Sequence, residues 1–137
     1  MARNNLDLDD LIKDFQKAKG SLPTKLGERA VKFFRANFDL EGFKDQTLSP
    51  WQNRKYTPRG GPKKILQVTG ALKRSVSRIR TTFSRIEIGT KGVIYAARHN
   101  RGLSGMPQRK FIGESQALEK ELKERIEEEI ENFNKNR

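Results

Sequence analysis

Two stretches near the start of the chain carry apolar residues at helical spacing. In the first, an i, i+3, i+4, i+7 pattern is formed by Leu8, Leu11, Ile12 and Phe15. Asp7 precedes this pattern, at the position where a capping side chain accepts hydrogen bonds from the first turn of a helix. Gly20 is expected to end the helix. In the second, helical spacing is kept by Leu22, Leu26, Ala30, Phe33, Phe34 and Phe38. The pattern predicts N-terminal helices within residues 8–38, the first over 8–18.

The end of the chain carries the clearest helical pattern. Apolar residues fall at steps of four and then three, with Glu and Lys between them, at Leu118, Leu122, Ile126, Ile130 and Phe133. Such a narrow stripe is typical of an amphipathic helix that packs on a sheet or on a neighbouring helix. The sequence predicts a long C-terminal helix over 114–133.

Regular structure is harder to find directly after the N-terminal helices. Residues 39–62 are polar and are interrupted by proline and glycine, so we predict an irregular basic loop. Residues 63–75 fit a short helix or turn. From 75 to 88 the chain is rich in β-branched residues, and Ile86-Glu87-Ile88 alternates as a half-buried strand does.

We therefore predict a hairpin with strands near 75–81 and 84–89. Residues 93–97 fit either a third strand or a short helix, and 106–112 fit an extended segment that rejoins the sheet. The expected fold class is α+β: N-terminal helices, a small mainly antiparallel sheet within residues 63–112, and the long C-terminal helix. A length of 137 residues suits a single domain over 1–137.

Composition adds that the core of this domain is thin. Hydrophobic residues make up 34% of the chain and charged residues another 34%, so we expect burial to be completed against copies of the chain or a partner. The start of the chain lacks the apolar run of a secretory signal, and no stretch approaches the roughly 20 apolar residues that span a bilayer. We expect a soluble protein without a membrane partner.

The formal net charge of +12 is unevenly distributed along the chain. Residues 1–45 hold nine basic and eight acidic side chains, 46–113 hold fifteen basic side chains and one acid, and 114–137 hold eight acids and five bases. Two interpretations stay open. The basic middle faces either nucleic-acid phosphates or an acidic surface on a neighbouring subunit, including the C-terminal segment of another copy.

Residue types that carry out catalysis are scarce in this chain. There is no cysteine and one histidine, His99, so zinc sites built from several such ligands are not available. Nothing around His99 resembles a nucleophile elbow, and the glycine-rich run at residues 60–64 lacks the spacing of a phosphate loop. We predict no enzymatic activity, no cofactor and no metal site, and a structural or contact role for His99.

Cations and aromatic side chains alternate in the middle of the chain, as single-strand nucleic-acid binders require. Trp51 is either an anchor packed on the domain or an interface contact. Arg109 lies in a Pro-x-Arg-x-Phe run that is expected to point Phe111 inward and to leave the guanidinium for a carboxylate or carbonyl. The candidate interface or nucleic-acid contacts are Trp51, Arg54, Lys55, Tyr56, Arg59, Lys63, Lys64, Arg98, His99 and Arg109.

Three separated strings occur in order along the middle of the chain. The first is ILQVTGALKRS at 65–75, the second is IGT at 88–90 followed by YAARHNRG at 95–102, and the third is MPQRKFIG at 106–113. Together with the closing helix, they resemble the phage virion morphogenesis family, also called tail-completion proteins. The Gly-Trp pair that many members carry before the first string is replaced here by Gly42-Phe43.

The resemblance implies a structural protein of a tailed phage or prophage that completes the tail or joins it to the head. A homo-oligomeric ring would contact other head, neck or tail proteins and either packaged DNA or acidic protein surfaces, without a small-molecule substrate. It would be located in the virion after assembly in the cytoplasm of the bacterial host. The glycines of the strings are expected at turns. The motif residues with an expected structural role are Leu66, Thr69, Gly70, Leu72, Ser75, Gly89, Tyr95, Ala96, Gly102, Pro107, Phe111 and Gly113.

Overall fold

A computed structural model describes residues 7–56, 61, 63–67, 69–103 and 105–136. Its described part is an α+β fold with a long C-terminal helix, which confirms the predicted fold class. The elements, in chain order, are α1 (Leu8–Ala18), α2 (Leu22–Leu40), β1 (Gly42–Lys44), β2 (Leu48–Pro50), α3 (Ala71–Ser75), β3 (Val76–Thr81), β4 (Ile86–Thr90), α4 (Ala96–Arg101) and α5 (Gln116–Lys135).

The first and the last of the predicted helices begin at residues whose side chains cap them. The Asp7 carboxylate accepts hydrogen bonds from the amides of Asp9 and Asp10, at 3.0 and 3.4 Å, and so caps α1 as expected. The hydroxyl of Ser115 accepts a hydrogen bond from the Leu118 amide at 3.3 Å and caps α5. These caps set the starts of the first and last helices.

Helix α2 lies at the centre of the core. One of its faces is buried against the β3–β4 hairpin and the chain before α5, and it presents Leu26, Ala30, Phe33, Phe34 and Phe38. The Phe38 ring lies 5.6 Å from the Trp51 ring and 5.1 Å from the Phe111 ring, measured between centroids. Phe111 is almost completely buried, as predicted. The core therefore joins segments that are far apart in sequence.

The prediction of an irregular loop over 39–62 is wrong for its first part. Helix α2 continues to Leu40, and β1 then pairs with β2 as an antiparallel hairpin in which Phe43 lies opposite Ser49. Strands of three residues are too short to show alternation in sequence, and their turn is closed by a hydrogen bond from the Asp45 amide to the Thr47 carbonyl at 3.1 Å.

The predicted hairpin in the middle of the chain is confirmed, with strands β3 and β4 joined through residues 82–85. The expected extension of this sheet to residue 112 is wrong for the described residues. Residues 96–101 form α4, which settles the open choice for 93–97 against a strand, and 106–112 pair with no strand.

Side-chain hydrogen bonds replace a strand ladder in that last segment. The Asn100 side-chain oxygen accepts hydrogen bonds from the amides of Phe111 and Ile112, at 2.8 and 3.1 Å. The Arg109 amide donates to the His99 carbonyl at 2.8 Å. The segment before α5 is therefore extended and held against α4 without joining the sheet.

Candidate functional site

A groove of about 810 Å³ opens between the chain after β2, the chain before α3, and α4 with the segment that follows it. We call it the α4 groove. Five of the predicted contact residues line it: Arg54, Lys55, Tyr56, His99 and Arg109. Five of the motif residues line it as well: Leu66, Thr69, Leu72, Tyr95 and Pro107. The structure thus brings candidate residues from four separate stretches of the chain to one surface.

Arg109 is the most constrained cation of this groove. The residue as a whole is 9% exposed, and its guanidinium donates two hydrogen bonds to the Gln52 carbonyl, from Nε at 3.1 Å and from Nη2 at 2.9 Å. Burial, and then the nearby charge of Arg54, lower the pKa of the Arg109 side chain. Of the carboxylate and the carbonyl expected as its partner, the structure has the carbonyl. Arg109 fixes the chain after β2 against the chain after α4.

Arg54 makes the corresponding connection to the other wall. Its Nη1 donates to the Lys63 carbonyl at 2.5 Å, and its Nη2 donates to the Lys64 carbonyl at 2.6 Å. Carbonyl oxygens are neutral, so both guanidinium charges stay uncompensated. Among the described residues that line the groove there is no Asp or Glu. The α4 groove is therefore positively charged.

His99 supplies an unused polar atom beside these cations. In the described part of the chain, its Nδ1 is buried and has no hydrogen-bond partner. The imidazole lies edge-on to the Tyr95 ring, with centroids 5.7 Å apart. Burial, followed by the charge of Arg109, lowers the pKa of His99, so the ring is neutral at pH 7.

Leu66 reaches the groove from a strained backbone. Its φ is 63°, in the left-handed region that non-glycine residues rarely adopt, which costs about 1–3 kcal/mol. The next residue is fastened on both sides: the Gln67 amide donates to the Lys64 carbonyl at 3.1 Å, and its side chain donates to the Phe38 carbonyl at 2.8 Å. These bonds hold the turn that places Leu66 in the groove wall.

Four other predicted contact residues are described, and they do not line the groove. Trp51 is buried, and its indole N–H donates to the Lys110 carbonyl at 2.8 Å. It is therefore an anchor packed on the domain, which is the first of its two expected roles. Lys64 donates from Nζ to the Asp39 carbonyl at 2.8 Å, while Lys63 and Arg98 are exposed. Arg59 lies outside the described residues.

The other motif residues shape the fold around the groove. Gly70 and Gly102 have φ values of 75° and 71° where α3 begins and α4 ends, so both turns require glycine. Gly89 lies inside β4, which corrects the expectation of a turn. A Cβ there would lie 3.0 Å from the Ile79 side chain, and this close approach explains the glycine. Three further motif residues are buried, namely Ser75, Ala96 and Phe111. Gly113 lies in a bend before α5.

Three residues with structural roles were missed from the sequence. Asn37 is completely buried; its side chain donates to the Phe111 carbonyl at 3.0 Å and accepts from the Lys44 amide at 3.1 Å. Asn100 holds the segment before α5, and Arg35 donates to the Val76 carbonyl from Nε at 3.1 Å and from Nη2 at 2.7 Å. Asn37 had a visible signal, since it interrupts the apolar face of α2 at helical spacing from Phe33 and Phe34.

No protein-family model, no curated protein and no solved structure matches this chain. None of the helices in the described ranges combines the length and the apolar content that crossing a bilayer demands. Across those same ranges, no three His, Asp or Glu side chains are grouped so that they could hold a metal ion.

Proposed function

We propose that the chain is a non-enzymatic structural subunit of a tailed-phage or prophage particle. In this proposal it assembles with copies of itself and completes the tail or the head–tail junction. Its side chains supply surface and charge for contacts with other head, neck or tail proteins.

The observation that carries this proposal is the placement of the motif strings. Gly70 and Gly102 form the turns at the two short helices. Arg109, from the third string, donates two hydrogen bonds to the Gln52 carbonyl. Tyr95 and Pro107 lie on the wall of the same groove. A family of structural proteins is expected to share residues that set the fold and line a common surface. The placement of these motif residues therefore supports the resemblance.

Exposed apolar side chains also support a role in assembly. Ile94 is 98% exposed, Tyr56 is 83% exposed, and Leu8 and Ile12 on α1 are 67% and 53% exposed. Apolar surface of this kind is stabilised when a partner covers it, at roughly 25 cal/mol per Å². The thin core expected from composition fits a subunit that completes its burial by contact.

The proposal is tested by stopping translation of the chain in the phage or prophage genome that encodes it. We expect unjoined heads and tails, or tails of abnormal end structure, in negative-stain micrographs. Supplying wild-type protein in trans should restore normal particles, and so should the His99→Gln variant, because no chemistry depends on the imidazole. Normal infectious particles made without the chain would refute the proposal.

A second candidate function is sequence-independent nucleic-acid binding. It is favoured by the absence of acids among the described groove residues and by the adjacent exposed side chains of Lys55 and Tyr56. Binding of this kind weakens steeply as salt rises, because counterions are released from the phosphates. A titration of DNA at about 50 mM salt that detects no complex would eliminate this candidate.

A further inference from the structure

The α4 groove has the composition of a docking site for an acidic, amphipathic segment. Leu66, Leu72 and Pro107 contribute apolar surface, while Lys55 and the two guanidinium groups described above contribute positive charge. A volume of about 810 Å³ is comparable to sites that enclose one drug-sized ligand, so it accommodates a few side chains and not a whole helix.

The second half of α5 offers side chains of the complementary kind. Ile126 and Ile130 are 36% and 42% exposed, although they belong to the apolar stripe of the helix. Glu127 and Glu131 are exposed and follow these isoleucines directly in sequence. At 100° per residue the four side chains fall along one side of the helix over about one and a half turns. We call this set the α5 edge.

Within one chain, the same half of α5 packs against α1. The rings of Phe133 and Phe15 lie 5.3 Å apart, and Lys19 forms an ion pair with Glu129 at 3.0 Å. Phe133 lies within about 20° of Ile126 around the helix, so α1 covers the part of α5 next to the α5 edge and leaves the two isoleucines partly exposed. None of the described residues of α5 lines the α4 groove of its own chain, so an α5 edge that enters an α4 groove comes from another copy.

We propose that the α5 edge of one copy binds in the α4 groove of the next copy. This inference rests on the proposed assembly function and specifies the contact between neighbouring copies. The isoleucines lie against the apolar wall, and the two glutamates face Lys55, Arg54 and Arg109. This is the helix-in-groove mode of recognition. Opposite charges at the rim favour this arrangement over contacts between the basic segments, residues 46–113, of two copies.

The contact joins two different surfaces of the chain, so it is heterologous. Repetition of such a contact closes into a ring when the rotation between neighbours divides a full turn, and otherwise forms an open filament. Head-to-tail docking of α5 thus gives a direct route from one chain to a ring.

The experiment uses sedimentation velocity of the full chain over a range of concentrations. One variant reverses the charge at a single groove position (Lys55→Glu), and a second reverses both charges of the α5 edge (Glu127→Lys with Glu131→Lys). All three residues are exposed, so the fold tolerates these changes. A third variant combines the three substitutions, and Lys91→Glu, exposed and outside the groove lining, is the matched control.

We expect the wild type and Lys91→Glu to associate alike and the first two variants to associate at least about tenfold more weakly. The combined variant should regain part of the lost association, because the lysines of its edge meet the carboxylate introduced at position 55 while Arg54 and Arg109 keep their charge. An equimolar mixture of the first two variants should also associate, since each supplies the surface that the other lacks.

Other outcomes would overturn the inference. If the wild type associates and no substitution changes this, copies meet through another surface and the proposed function stands without this contact. If the wild type stays monomeric but binds a DNA duplex, and Lys55→Glu abolishes that binding, the groove receives phosphates. If the wild type stays monomeric and binds no DNA, the groove does not receive α5; the translation-stop experiment then judges the proposed function separately.

Discussion

Amide and guanidinium side chains, buried or half-buried, join distant segments of this fold by bonding to main-chain groups. Asn37 bonds to the chain at Phe111 and Lys44, and Asn100 bonds to the amides that precede α5. Arg109 binds the chain that follows β2. A chain with a small apolar content thus obtains part of its specificity from polar side chains that bond to main-chain groups.

Replacing Asn37 with Ala should destabilise the fold strongly. The substitution leaves the Phe111 carbonyl and the Lys44 amide without this partner, and each lost buried bond costs about 1–3 kcal/mol. We expect the free energy of unfolding in urea to fall by about 2–4 kcal/mol. Asn132→Ala, at an exposed position of α5, is the control and should stay within about 0.5 kcal/mol of the wild type. Equal effects for both variants would contradict the role of Asn37.

The lowered pKa of His99 predicts a pH dependence of stability. The unfolded chain gains a proton on this imidazole near pH 6.5, whereas the folded chain gains it only at lower pH. The free energy of unfolding should therefore fall as pH decreases from about 7 to 5, and His99→Gln should flatten this slope. Asp39 and Glu129, whose pKa values are lowered by Lys73 and Lys19, act mainly below this window. Identical slopes for wild type and variant would contradict the lowered pKa of His99.

Helix α1 is weakly attached to the rest of the described fold. None of its residues is buried, and its described contacts centre on Phe15, whose ring lies 5.8 Å from Phe83 and 5.3 Å from Phe133. The Lys19–Glu129 ion pair joins two partly exposed side chains, so solvent weakens it and it adds little. Helix α1 is therefore expected to open locally before the rest of the fold.

Phe15→Ala should release α1 and leave the core intact. We expect the amides of Leu8–Ala18 to lose their protection in hydrogen exchange, with the protection of α2 unchanged. Lys13→Ala, on the exposed side of the same helix, is the matched control and should keep the wild-type pattern. Loss of protection throughout α2 would mean that α1 belongs to the same cooperative unit as the core.

Elements set by local pattern were predictable, and elements set by distant contacts were not. The apolar periodicity of α1, α2 and α5 and the β-branched run of β3 and β4 lie within short windows of sequence, so these elements were placed correctly. The segment at 106–112 takes its conformation from Asn100, and Trp51 is positioned by the Lys110 carbonyl. No local pattern reports such bonds, which is why the sheet was extended too far.

The candidate site was predictable in part for the same reason. Residue type and charge identified Arg54, Lys55 and Tyr56, which the fold brings to the groove. Trp51 was left between two roles because aromatic side chains suit both a core and an interface. Burial and a hydrogen bond to a main-chain carbonyl distinguish the two, and both depend on the tertiary fold.

At the scale of the whole molecule, the basic middle and the acidic end become two separate surfaces. The α4 groove carries cations without a described acid, and the second half of α5 carries exposed glutamates beside exposed isoleucines. A subunit with two complementary and distinct faces can pair with copies of itself in series. This arrangement is the physical basis of the account of the chain as an assembling subunit.

The most direct test of the proposed function is to count the chain in purified phage particles produced by the strain that carries its gene, by peptide mass spectrometry against labelled standards. The account predicts one fixed copy number per particle, greater than one, as a ring requires. Particles that are complete and infectious but contain the chain at less than one copy each would contradict it.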